Sequence, residues 1–172
     1  MHTATPSPST ATLDLQANAR RHLWMHISRM GGYDEQHEIP IIARGKGSYV
    51  WDDKGNKYMD GLSGLFCTNA GHGRPELAEA AAKQLEELDF FVIWSYAHPK
   101  AIELATKIAS LAPGDLNRVF FTSGGAESVE SALKLARNDW RMAGRGQKAK
   151  VIAREVAYHG TTLGALSATG LT

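Results

Sequence analysis

The fold turns on Arg118–Arg141, RVFFTSGGAESVESALKLARNDWR. Val119-Phe120-Phe121-Thr122 is short, β-branched and aromatic, and mostly apolar at consecutive positions, the pattern of a strand buried on both faces of a parallel sheet. Ser123-Gly124-Gly125 breaks that run with two residues that have no Cβ and tolerate φ > 0. From Ala126 the period becomes helical. Ala126, Val129, Leu133, Ala136 and Trp140 share one face, and Glu130 and Lys134 stand at i, i+4 on the other. A helix N-terminus presents unpaired N–H groups and the positive end of its dipole, and glycines just before it admit a phosphate to the backbone. Two readings fit the unit: an anion site, or a plain strand-to-helix turn in which glycine relieves crowding. Neither G-x-x-x-x-G-K-[ST] nor G-x-G-x-x-G occurs, which disfavours Walker-type and dinucleotide sites.

The chain has 172 residues, 43% hydrophobic and 22% charged, which is ordinary for a globular protein with one good core, or one domain and an appendage. A net charge of +1 gives no reason to expect nucleic acid or an anionic membrane as partner. The lone Cys67 excludes an intramolecular disulfide and a multi-cysteine zinc site, and no metal site is expected. No apolar run approaches the roughly 18 residues of a membrane span, and the N-terminus lacks the apolar core of a secretory signal. The expected location is cytoplasmic.

In chain order, residues 1–13 are Ser, Thr, Pro and Ala with little to bury, and are expected to form a disordered tail. Residues 14–75 read as an N-terminal segment belonging to a small domain, and 76–172 as the first part of a larger one. A helix is expected from Asp14 to Met30, stopped by Gly31-Gly32. Tyr49-Val50-Trp51 and Lys57-Tyr58-Met59 flank Asp52-Asp53-Lys54-Gly55-Asn56, a hairpin whose two aspartates are explained by turn chemistry. Asp60–Pro75, DGLSGLFCTNAGHGRP, is read as loop. His72 between two glycines is a candidate general base with no orienting partner nearby in sequence, and Phe66 and Asn69 are candidate pocket residues. Helices are expected at 75–88 and 99–111, with Leu77, Leu85, Ile102 and Ile108 turned inward. The aromatic run between them is a strand or a substrate-side wall. A second strand at 150–155 leads into Tyr158-His159-Gly160. Two units of this kind bring Gly124-Gly125 and Tyr158-His159 to one sheet edge, where ligands of open α/β sheets bind.

Several motifs coincide in order and spacing. GSYVWDDKGNKYMDG, NAGHGRPE, VFFTSGGAESVESALKLAR and AYHG together resemble the amino-terminal part of class III (ω-) aminotransferases, pyridoxal-phosphate enzymes of fold type I. GLFCTNAGHGRP and HPKAIELA resemble most the β-alanine/ω-amino acid:pyruvate group. The resemblance implies an α/β fold, a mixed, mostly parallel sheet with helices on both faces, incomplete here and preceded by the N-terminal helix and β-hairpin. It implies that Gly124-Gly125-Ala126-Glu127 cups the phosphate of pyridoxal 5′-phosphate and that Tyr158 stacks on its ring, with His159 and Gly160 completing the motif. Phe66 and Trp94 fall where the family places aromatics near the substrate. Many members carry Ser or Thr in place of Ala126, so here backbone N–H groups must serve the phosphate.

The family chain is more than twice this length. Its Schiff-base lysine is expected beyond Thr172. Lys134 is read on an outer helix face, Lys83 and Lys107 beside glutamates, and Lys54 and Lys57 at a turn, while Lys46, Lys100, Lys148 and Lys150 lie in no matching context, so these 172 residues are expected not to transaminate alone. The resemblance implies an amino donor, a keto acid such as pyruvate and a homodimer for the complete protein. Two alternatives stay open: an aminomutase, epimerase or decarboxylase on the same fold, or a non-catalytic phosphate-binding or dimerising module.

Overall fold

The computed structural model describes residues 14–171. The chain divides after Phe90 into two compact units.

In the first unit, Asp14 caps helix α1 (Leu15–His22) by accepting the Ala17 N–H at 2.9 Å. The helix ends at His22, eight residues before the expected Met30, and Ile27 takes a left-handed φ of 53°. Leu23, Trp24 and Ile27 are all exposed, so the apolar periodicity that predicts a longer helix has no surface to pack on. Short helices hold by tertiary packing, not by propensity alone. Helix α1 is tied instead through Gln16, whose amide both donates to and accepts from the backbone of buried Ile39, at 2.8 and 3.1 Å.

The expected β structure is a three-stranded antiparallel meander: β1 (Ile42–Lys46), β2 (Tyr49–Asp52) and β3 (Lys57–Met59), in the order β1-β2-β3. Tyr49 faces Met59, Val50 faces Tyr58, and Trp51 faces both Arg44 and Lys57. The Arg44 guanidinium lies 3.9 Å from the Trp51 ring centroid, and Lys57 lies 3.8 Å from that of Tyr49. Asp52 closes the β2–β3 turn by accepting from the Lys54 and Asn56 amides, the Asn56 side chain and the Tyr58 hydroxyl. These donors, with the Asn56 side chain first, hold its carboxyl below the usual range. Gly55 supplies the left-handed residue at φ 87°. After β3 comes a single turn over Ser63–Phe66, then α2 (Pro75–Glu87), with proline in its first turn.

The second unit holds α3 (Pro99–Leu111), α4 (Gly125–Met142) and α5 (Leu163–Ala168). The expected parallel sheet is not formed. Val119–Thr122 and residues 150–154 carry no ladder partner, and among the described residues the meander is the one sheet. A strand exists only against a neighbour, so an apolar β-branched run by itself stays irregular. The inward faces expected for α2 and α3 are likewise uncovered, with Leu77, Leu85, Ile102 and Ile108 exposed. Among the described residues the buried apolar ones are Ile39, Ala165 and Ala168. No described helix is long and apolar enough to cross a membrane.

Candidate functional site

Helix α4 begins where the sequence places it. Gly124 is the N-cap, in extended backbone at φ −166° and ψ 165°, and no side chain caps the helix. Glu127 reaches back to accept the Ser123 N–H at 2.9 Å. The Thr122 and Ser128 hydroxyls meet at 2.6 Å and share the Gly124 carbonyl, 3.2 Å from each. The turn is therefore shaped by its flanks, while the amides of Gly125, Ala126 and Glu127 meet no acceptor among the described residues. A Cβ on Gly124 or Gly125 would meet no atom within 4 Å, and neither glycine has a positive φ. These glycines leave room at a helix N-terminus; they do not relieve strain in the chain.

The second motif is brought against the first by Gly160. It is buried, at φ 125°, and a Cβ there would lie 2.5 Å from the Ala126 Cβ, 2.8 Å from its Cα and 3.2 Å from the Ala165 Cβ. Tyr158-His159-Gly160 and Gly124-Gly125-Ala126 thus meet at an approach that only glycine permits. Thr169 fixes the loop from behind: its hydroxyl accepts the His159 N–H at 3.1 Å and faces the carbonyls of Gly160 and Ala165 at 3.1 and 3.0 Å. Tyr158 itself is 62% exposed.

Glu130 adds a third tie that sequence reasoning misses. The expected surface partner is Lys134. In the structure Lys134 still attracts the carboxylate, which also spans to α5, where it accepts from Gly164 at 2.6 Å and Ala165 at 3.3 Å. The neighbouring Thr162 hydroxyl first, then the Gly164 amide, hold the Glu130 carboxyl below its ordinary range. That hydroxyl is buried and reaches no partner at bonding geometry, so we ascribe its influence to proximity. An i, i+4 pairing rule sees only one helix, and this contact crosses 34 residues. Replacing Thr169 by valine keeps the shape but strands the His159 N–H. In the complete protein this should cost about 1–3 kcal/mol, read as a lower urea midpoint, whereas Thr169→Ser should stay near wild type.

The two aromatic candidates lie on other segments of the chain. Phe66 belongs to the first unit, where it is 72% exposed on the turn after β3. Trp94 lies in the irregular segment before α3, 88% exposed, and among the described residues no ring contact engages it. His72, by contrast, has the partner its sequence neighbourhood lacks: its Nε2 is 2.7 Å from Asp60 Oδ2, twelve residues back.

Residues 32–172 match the family described as aminotransferase class-III. This chain belongs to the class-III aminotransferase family. It is 54% identical over 166 residues to a probable aminotransferase of Mycobacterium tuberculosis, covering 96% of this chain and 34% of that one. The β-alanine–pyruvate aminotransferase of Pseudomonas aeruginosa is 44% identical over 91% of this chain and 34% of its own. The solved ω-transaminase of Pseudomonas jessenii in complex with PMP superposes with a TM-score of 0.88 at 31% identity, over 92% of this chain and 35% of that one. The chain thus spans about a third of the length of the curated relatives it matches.

Proposed function

We propose that the complete protein is a pyridoxal-phosphate-dependent aminotransferase of fold type I that moves an amino group from an ω-amino acid or amine to a keto acid such as pyruvate. One observation carries the reading: three open amides at the start of α4 lie beside a loop held there by the close approach of Gly160 to Ala126. The residues fit the cofactor, because the glycines leave a cradle that a Cβ would fill and the donors suit an anion. In this assignment the Gly125, Ala126 and Glu127 amides hold the phosphate. Tyr158 offers its ring face, and the loop backbone at His159 fixes where that face stands. Phe66 and Trp94 line the substrate side. The bound cofactor supplies an electron sink for breaking bonds at the amine-bearing carbon.

Residues 14–75 then contribute to a small domain, and 76–172 open the large cofactor-binding domain with its mostly parallel sheet. A homodimer in the cytoplasm completes the proposal. The solved relative that carries PMP and the relative named for β-alanine and pyruvate support this reading.

The complete protein, incubated with an ω-amino acid and pyruvate, should form alanine in step with loss of the donor. Cofactor absorbance without alanine would instead favour an aminomutase, epimerase or decarboxylase. Tyr158→Ala should lose on the order of 1 kcal/mol of cofactor binding, seen as faster loss of absorbance on dialysis. Unchanged retention removes Tyr158 from the site.

A further inference from the structure

Helix α5 has no cap of its own. Thr162 stands at its N-cap position in extended backbone, at φ −69° and ψ 159°, and its side chain accepts nothing from the helix. An N-cap oxygen normally serves the second or third amide of a helix. Here that oxygen comes from another helix. Glu130 Oε1, on α4, accepts the N–H of Gly164 at 2.6 Å and that of Ala165 at 3.3 Å, the second and third residues of α5. A carboxylate on these amides makes charge-assisted bonds, stronger than a hydroxyl cap would give. Gly164 leaves the room: a Cβ there would lie 2.5 Å from Glu130 Oε2 and 3.0 Å from its Cδ.

Helix α5 is the firm part of a stretch that closes on itself. The Val156 N–H donates to the Gly170 carbonyl at 3.2 Å, and the Gly170 N–H to that of Ala157 at 2.8 Å, which joins the two ends. Between them Ala165 and Ala168 are buried, and the Thr169 hydroxyl ties the helix to His159 and Gly160. Tyr158 is thus carried by a closed body that moves with α5. The body is strained at its start, because Val156 has a φ of 59°. A β-branched residue keeps that conformation only where its surroundings enforce it.

Two contacts set this body against α4, and they act in opposite senses. The approach of Gly160 to Ala126 is a steric stop, which limits how near the loop can come. The Glu130 carboxylate pulls, and limits how far the loop can drift. Among the described residues, no other side chain of α4 makes a hydrogen bond to residues 156–170.

We propose that Glu130 is a positioning residue for the cofactor: by capping α5 from α4, it fixes the spacing between the amides at the start of α4 and the loop that carries Tyr158. This rests on the aminotransferase reading above. Glu130 touches no reacting atom; it acts through α5 and the loop. Without it the stop remains but the pull is gone, the strain at Val156 can relax, and Tyr158 loses its fixed place.

The test uses the complete protein loaded with pyridoxal phosphate, and reads the rate at which the cofactor is lost on dilution and the visible circular dichroism of what stays bound. Glu130→Ala should speed cofactor loss about tenfold and weaken the dichroism per bound cofactor. Glu130→Gln, which keeps an oxygen acceptor at the same reach, should stay within about threefold of wild type. Gly164→Ala leaves Glu130 in the chain and favours the helix, yet its methyl displaces the carboxylate, so it should act like Glu130→Ala. In a Tyr158→Ala background Glu130→Ala should add less than about twofold, because the residue it positions is no longer there. A role confined to stability would lower the melting temperature of the apoprotein and leave the rate of loss, measured well below that temperature, unchanged. Cofactor loss within about twofold of wild type in both Glu130→Ala and Gly164→Ala overturns the proposal. So does a full tenfold effect of Glu130→Ala in the Tyr158→Ala background. If Glu130→Ala yields no soluble protein, Gly164→Ala with and without Tyr158→Ala decides by the same rates. A wild-type protein that takes up no pyridoxal phosphate overturns the aminotransferase reading itself, and this inference falls with it.

Discussion

Gly160→Ala in the complete protein should all but abolish cofactor retention and loosen the loop that carries Tyr158. The added methyl would stand 2.5 Å from the Ala126 Cβ and 2.8 Å from its Cα, and the second of these atoms is backbone on a long helix. It cannot swing aside. Overpacking at such a tight approach costs about 1–3 kcal/mol. The φ of 125° adds strain of similar size for any residue with a Cβ. A total near 3 kcal/mol corresponds to roughly a hundredfold rise in the cofactor Kd. Titration of the apoprotein with pyridoxal phosphate measures it directly. Hydrogen exchange should speed up at residues 158–162 while the meander stays protected. Adding Ala126→Gly removes the nearer clash and should recover only part of the loss, because the helix backbone at that position still obstructs the methyl and the strain at residue 160 remains. A wild-type Kd in Gly160→Ala would mean that the two motifs are not coupled through this approach.

Gly125→Val should separate ligand from fold. Gly125 has no positive φ, and a Cβ there meets no protein atom within 4 Å, so the valine is free of strain until something else enters that space. Helix content by circular dichroism and the melting temperature of the apoprotein should barely move. Cofactor affinity should fall by about 1–3 kcal/mol, roughly 5- to 150-fold, as the side chain takes up room the phosphate needs. The melting temperature with saturating cofactor should then lose much of its ligand-dependent rise. If the valine variant binds pyridoxal phosphate like the parent, the turn is only a turn.

These two glycines also mark how far sequence reasoning reaches. The helix start at Gly124-Gly125 is legible because strand-like, glycine and helical patterns follow one another within ten residues. The reason for the glycines is not, since positive φ and open space leave the same letter in the sequence. The hairpin around Asp52–Asn56 is legible because turn chemistry is local, and Asp52 binds donors no more than six residues away. Val119–Thr122 looks like a strand, but a ladder needs a neighbour that pattern alone cannot supply. The hydrogen-bond partners of Glu130 and His72 are not legible for one reason: Gly164 and Asp60 are brought to them by folding and not by spacing. For His72 one signal was present. A histidine between two glycines is a side chain the backbone has made room for, and that room lies against Gly45 and Gly47.

The meander has a consequence for how the protein is born. Every pairing in it, including the closure of His72 onto Gly47, lies within residues 42–72. Contacts that local form in microseconds to milliseconds, whereas a ribosome adds only about 5–20 residues each second. The meander can therefore pair before Val119–Thr122 has been synthesised. Behind the meander trail α3 and α4 with Leu104, Leu111 and Leu135 in water. Apolar surface exposed in this way is what makes a partly made chain prone to aggregate, and it lies largely after the meander.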